Sequence, residues 1–271
     1  MKIKIVLFII SAFIVSTVHA ERLDTIITYS EAMKKEIPAI VVVPDNYSKK
    51  KAYPVVYMLH GYSDNYASDW AAKEWETSPL ADVFDMILVI PDGGYSSWYF
   101  DSPVDSTSQY ETYITKELIP FIDKKYSTIK AREGRAITGL SMGGHGAFYL
   151  AFRNQDLFGA AGSTSGGVDI RPFPNNWDIA KRLGTYAQYP ENWEKNTVIN
   201  MTHLLTPGSL AIIFDCGTED FFYQVNCRLH AKLLYNNIPH DFISRPGGHN
   251  STYWKKSIRN HLLFFRDYFD K

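Results

Sequence analysis

Apolar residues recur along the chain with two periods, and the switching between them predicts the architecture. Runs of strand character fall at residues 25–29, 39–43, 55–59, 86–90, 135–138, 160–163, 210–215 and 241–244. Segments with helical spacing separate most of the later ones. In residues 108–126, Tyr110, Ile114, Leu118 and Ile122 recur every fourth position and mark one apolar face. Pro120 lies inside that segment and predicts a kink or an early break there. Further helical patterns follow at 144–153, 221–236 and 252–268, the last carrying Trp254, Ile258, Leu262 and Phe265 on one side. Strands alternating with helices imply an α/β protein, a mostly parallel sheet with helices on both faces. No convincing helix lies between the first two runs, so they are expected to form an antiparallel edge. Residues 166–209, rich in Pro, Asn, Trp and Tyr, break the alternation. They read as an excursion over the sheet's carboxyl edge, where open α/β sheets bind ligands.

The start of the chain has a different character. Met1-Lys2-Ile3-Lys4 precedes an apolar run to Val15, and Val18 and Ala20 are small residues suited to cleavage after Ala20. Residues 1–20 therefore read as a signal peptide, which predicts a secreted or periplasmic protein. The run is short for a membrane span. Residues 21–271 contain no repeat or linker and fit one large α/β domain. They carry 26 basic and 29 acidic side chains, a balance that gives no reason to expect nucleic acid or an anionic membrane as partner. Cys216 and Cys227 are the two cysteines, and their spacing leaves open whether they are bonded or free.

Candidate chemistry centres on Gly139-Leu140-Ser141-Met142-Gly143. This is a G-x-S-x-G pattern between the strand at 135–138 and the helix beginning near Gly144, the setting of a nucleophile elbow. A serine hydroxyl needs a base to take its proton. In an α/β-hydrolase the acid and then the histidine follow the serine, each in a loop after a strand. Of the later histidines, His145, His230 and His261 lie in helical segments, His203 in the excursion and His240 at a strand entrance. His249, in Arg245-Pro246-Gly247-Gly248-His249-Asn250, follows a strand in a glycine loop and is the expected base. Asp215, Glu219 and Asp220 are the candidate acids. Asp220 is preferred because it lies further into the loop, whereas Asp215 still belongs to the strand end. The developing oxyanion needs donors. The expected ones are the amides of Met142 and of Tyr62, which follows His60-Gly61 at the end of an apolar strand.

Five stretches now form a recognisable series: Leu59-His60-Gly61, Ser96-Ser97-Trp98-Tyr99, Gly139-Leu140-Ser141-Met142-Gly143-Gly144, Asp215-Cys216-Gly217-Thr218-Glu219-Asp220 and Pro246-Gly247-Gly248-His249. In this order they resemble the putative-esterase family, which includes esterase D, tributyrin esterases, feruloyl and acetyl-xylan esterases and mycolyltransferases. The resemblance covers most of the chain beyond residue 20. It implies an α/β-hydrolase fold with Ser141, Asp220 and His249 as triad. It also implies a secreted serine carboxylesterase removing acetyl or feruloyl groups from plant polysaccharides or short-chain esters, with no cofactor or metal. By the same analogy Trp98 and Tyr99 line the substrate pocket beside His60, which also supports its loop. Trp177 and Trp193 in the excursion are candidates to stack on a sugar or phenolic ring. The alternatives are a thioesterase resembling S-formylglutathione hydrolase, an acyltransferase, and a non-catalytic glycan-binding relative. The expected leader argues against the first, since glutathione chemistry is mainly cytosolic.

Overall fold

Eight strands form one sheet in the order β1-β2-β4-β3-β5-β6-β7-β8. They are β1 (Leu23–Ser30), β2 (Lys35–Val42), β3 (Val55–Leu59), β4 (Ile87–Pro91), β5 (Arg135–Gly139), β6 (Ala160–Thr164), β7 (Ala211–Gly217) and β8 (Asp241–Arg245). The computed structural model describes residues 23–67 and 77–271, and the leader expected at residues 1–20 lies outside them. β1 and β2 pair antiparallel, as does β2 with β4, while every later pairing is parallel. The short link between β1 and β2 dictates this, because a parallel pairing needs a crossover of a dozen or more residues.

Strands β3, β4, β5 and β6 are buried along their whole length. This is the state of parallel strands covered on both faces, and it explains the unbroken apolar runs of β3 and β4. In β3, Tyr57 and Leu59 enter the core shared with Phe148 and Leu150, while Val56 and Met58 enter the opposite core with Leu80, Ile258 and Leu262. The helices on those two faces are therefore Met142–Arg153 on one side, and Thr77–Phe84 with Ser251–Phe269 on the other. At the edge, β1 alternates: Ile26 and Thr28 are buried, while Ile27 and Tyr29 face out.

Two segments take a more regular form than their composition announces. The helix across Pro120 does not break. It runs as Tyr110–Thr112, a wider π-helical segment Tyr113–Leu118, and then Ile119–Lys125. Proline offers no N–H and crowds the carbonyl one turn back. The π turn relieves both, and the Ile119 amide reaches back to the Ile114 carbonyl. The excursion, in turn, is not irregular throughout. It contains helices Ile179–Leu183 and Pro190–Lys195 and a 3-10 stretch Val198–Leu204. Trp193 is fully buried there and donates to the Gly184 carbonyl, so it packs the excursion rather than meeting a ligand. Cys216 and Cys227 are free thiols. Among the described residues no helix is long and apolar enough to cross a membrane.

Candidate active site

The turn after β5 is strained at one residue. Ser141 has φ 55° and ψ −115°, a backbone region that non-glycine residues rarely occupy. The surrounding structure enforces it: the Ser141 amide donates to the Thr164 carbonyl at 3.0 Å, and its carbonyl accepts from the His145 amide at 3.1 Å. The neighbouring glycines are steric necessities. A Cβ on Gly139 would overlap the Gly143 carbonyl, and one on Gly143 would overlap the Leu59 carbonyl at the end of β3.

Three loops at the sheet's carboxyl edge converge on this serine. The Ser141 hydroxyl lies 2.9 Å from His249 Nε2, and His249 Nδ1 lies 2.8 Å from Asp220 Oδ2. With Nδ1 donating to the carboxylate, Nε2 is left as the acceptor for the serine proton. Asp220 Oδ1 accepts from the Phe222 amide, which fixes the carboxylate. Phe221 and Trp254 flank the His249 ring at centroid distances of 4.2 and 5.0 Å.

The other acid and the other histidines have different partners. Asp215 is fully buried, with its two oxygens taken by Thr164, Ser257 and His261. Burial alone would raise this carboxyl, but the hydrogen bonds from His261, Ser257 and Thr164 outweigh it and hold the group below the usual carboxylate range. His145 is buried behind the elbow, facing the carbonyls of Trp98 and Asn196. Burial depresses it to about 4, so it is a neutral core residue at pH 7. His230 and His240 are hydrogen-bonded to each other.

Facing the serine is the loop after β3. A Cβ on Gly61 would stand 3.6 Å from Ser141 Cβ. Neither the Tyr62 amide nor the Met142 amide has an acceptor among the described residues. Two N–H groups, one in the elbow and one in the facing loop, are thus left free to donate, as stabilising a developing oxyanion requires. His60 is fully buried: its Nε2 accepts from the Gly93 amide at 2.7 Å, and its Nδ1 is 2.8 Å from the Gly61 carbonyl. Burial lowers its basicity, so a neutral imidazole braces the loop.

Above the triad opens a cleft of about 400 Å³, lined by Tyr62, Asp64, Ser141, Trp177, Phe221 and Trp254 among others. Three expected substrate contacts are absent from this lining. His60, Trp98 and Tyr99 are at most 1% exposed. The Trp98 indole donates to the Trp177 carbonyl at 3.1 Å, and the Tyr99 hydroxyl donates to the His60 carbonyl at 3.2 Å. They hold the residues that form the wall, because a bulky ring that packs the strand end cannot also face the opening. Phe221 and Trp254 are the aromatics the sequence reading missed. Phe221 adjoins Asp220 in sequence, and that adjacency was the available signal.

Fold and site together define an α/β-hydrolase. Comparison with known proteins agrees: the pattern of the putative esterase family matches residues 30–265, and the chain belongs to that family. An acetyl esterase of Caldicellulosiruptor saccharolyticus is 27% identical over 86% of this chain and 93% of its own length. An esterase of Mycobacterium tuberculosis is 33% identical over 48% of the chain, but the match spans only 29% of that protein. Among solved structures, a ferulic acid esterase superposes with a TM-score of 0.77 at 29% identity, covering 91% of this chain and 98% of its own. These likenesses support a serine ester hydrolase.

Proposed function

We propose that the protein is a secreted serine carboxylesterase that removes acyl groups, acetyl or feruloyl, from plant polysaccharides or short-chain esters. The observation that carries this reading is the Ser141–His249–Asp220 chain of contacts at 2.9 and 2.8 Å, built on a strained turn, with the Tyr62 and Met142 amides left without acceptors among the described residues. Ser141 Oγ attacks the ester carbonyl as His249 Nε2 takes its proton, and the Tyr62 and Met142 amides donate to the oxyanion. The tetrahedral species collapses, and the leaving alcohol receives the proton from His249. Water, deprotonated by the same imidazole, then attacks the acyl-enzyme and releases the acid. Asp220 keeps the Nδ1 proton in place and stabilises the transient imidazolium.

The substrate class draws support from the cleft and from relatives. Trp177, Phe221 and Trp254 give the opening flat apolar faces suited to a phenolic acyl group or a sugar ring. The acetyl esterase and ferulic acid esterase likenesses point to the same small set of acids. The leader expected at residues 1–20 supports export. The test has two parts: labelling by a fluorophosphonate, and acid release from acetylated xylan, feruloylated arabinoxylan and tributyrin. Ser141→Ala is expected to abolish both. Acid release that survives in the variant would refute the mechanism.

A further inference from the structure

Beside the cleft lies a second cavity of about 150 Å³, lined chiefly by Lys35, Ser96, Ser97, Ser108, Tyr110 and Arg182. Tyr95 also borders it, and the Tyr95 ring meets that of Tyr62, in the cleft wall, edge-on at 5.0 Å. The excursion serves both openings, with Trp177 facing the cleft and Arg182 this cavity. The cavity therefore sits on the same carboxyl edge, one aromatic pair away from Ser141.

Its chemistry is a surplus of donors. The Lys35 ammonium has one hydrogen-bond partner, the Tyr110 hydroxyl at 3.2 Å, and no salt bridge among the described residues. Tyr110 Oη accepts that bond, Ser97 Oγ accepts from the Tyr99 amide, and Ser96 Oγ accepts from Arg182. The protons of these three hydroxyls have no acceptor among the described residues. Ser108, only 3% exposed, has a buried hydroxyl with no partner at all. The Ser108 hydroxyl is the wholly unpaired one, at a cost of about 1–3 kcal/mol, and with the undonated protons of Ser96, Ser97 and Tyr110 around one ammonium it forms a site complementary to an acceptor.

Charge narrows the acceptor. Arg182 is matched by Asp105, which also accepts from Thr107. Asp92 accepts from the Gly94 amide and stands beyond salt-bridge reach of Lys35. One cation is left without a direct counter-ion, which suits a singly charged, two-oxygen group better than a phosphate dianion. Burial also lowers the Lys35 ammonium from its ordinary basicity, and the through-space pull of Asp92 and Asp105, neither in contact with it, does not offset this.

We propose that this cavity is a subsite for a carboxylate on the substrate, a uronate group carried by the same glycan whose ester occupies the cleft. The proposal rests on the esterase reading, and its first test avoids turnover so that the two can fail separately. D-glucuronate, D-xylose and sulfate are titrated into the Ser141→Ala protein and followed by isothermal calorimetry and NMR. Glucuronate is expected to bind, xylose not to, and Lys35→Gln or Ser108→Ala to weaken glucuronate about tenfold, the loss of a charge-assisted contact. The second test compares acetylated xylo-oligosaccharides with and without a uronate branch. The wild type is expected to favour the uronate-bearing substrate through KM, and Lys35→Gln to lower that preference about tenfold. Glucuronate binding that is absent, or that survives both substitutions, overturns the site. Binding of glucuronate and sulfate alike, with no preference for the uronate-bearing ester, overturns the substrate assignment in favour of a free anion. Loss of esterase activity altogether leaves the titration intact and bears on the catalytic reading alone.

Discussion

Acidification below pH 6.5 is expected to destabilise this protein through one residue beside the elbow. His145 is completely buried, ringed by Trp98, Phe100 and Tyr149, and its ring nitrogens face two backbone carbonyls. The neutral ring has a single N–H, best aimed at the Asn196 carbonyl at 2.9 Å. Protonation would let both nitrogens donate, but burial dominates and holds the folded value at about 4, against 6.5 for the free side chain. Above pH 6.5 neither state takes the proton, and stability is at its plateau. Below it the unfolded chain binds a proton that the folded one refuses, so stability falls with pH by about 1.4 kcal/mol per unit. By pH 4.5 the loss reaches about 2.5 kcal/mol. His145→Gln keeps a donor for Asn196 and removes the titration. Urea unfolding of both proteins at pH 7, 6, 5 and 4.5 isolates the residue, since other buried groups such as His60 cancel in the difference. The variant is expected to be less stable at pH 7 and to draw level or pass the wild type near pH 4.5. Two stability curves that stay parallel over this range would refute the argument.

Asp220→Asn is expected to leave KM within a few fold and to lower kcat about 10⁴-fold, because the amide allows the wrong His249 tautomer; steady-state kinetics on p-nitrophenyl acetate reads both. Gly143→Ala drives a methyl group into the Leu59 carbonyl, and thermal unfolding should show a loss of about 3 kcal/mol. That variant should also lose kcat, because the elbow and the oxyanion loop meet at this contact. Asp215→Asn leaves His261, Ser257 and Thr164 without their charged partner and should cost about 3 kcal/mol at pH 7. The Asp215 carboxyl is depressed in the folded state, so its contribution is present above the unfolded value and fades as pH falls below about 4. The gap between this variant and the wild type, measured by calorimetry, should therefore close in acid.

Much of this architecture was legible because the strands are buried on both faces. A strand covered on both sides is mostly apolar, and β3 and β4 announce themselves as unbroken runs. The meeting of Ser141, Asp220 and His249 was legible for a related reason, since chain order plus loop position after a strand singles out these three side chains. The short helices were less so. Among the described residues of Thr77–Phe84, Leu80 and Ala81 are the fully buried ones, too few positions to set a period. Pro120 announces a disturbance in its helix, but no local pattern says that the helix widens into a π segment rather than breaks.

The cleft wall was the least legible part, and Trp98 shows why. Motif position placed it at the ligand edge, and that placement is correct to within one layer of packing. Whether a ring at a strand's carboxyl end faces the opening or supports its neighbour depends on backbone direction at that residue. Trp98 and Tyr99 both take positive φ, 53° and 60°, a conformation no local pattern announces for aromatic residues. It turns both rings inward, Trp98 beneath Trp177 and Tyr99 beneath the His60 carbonyl. Replacing Trp98 should therefore act on substrate only through Trp177. Trp98→Phe removes the indole donor while keeping the bulk, and a rise in KM that Trp177→Ala abolishes as a separate effect would identify that route. Additive effects of the two substitutions on KM would mean that Trp98 meets the substrate itself.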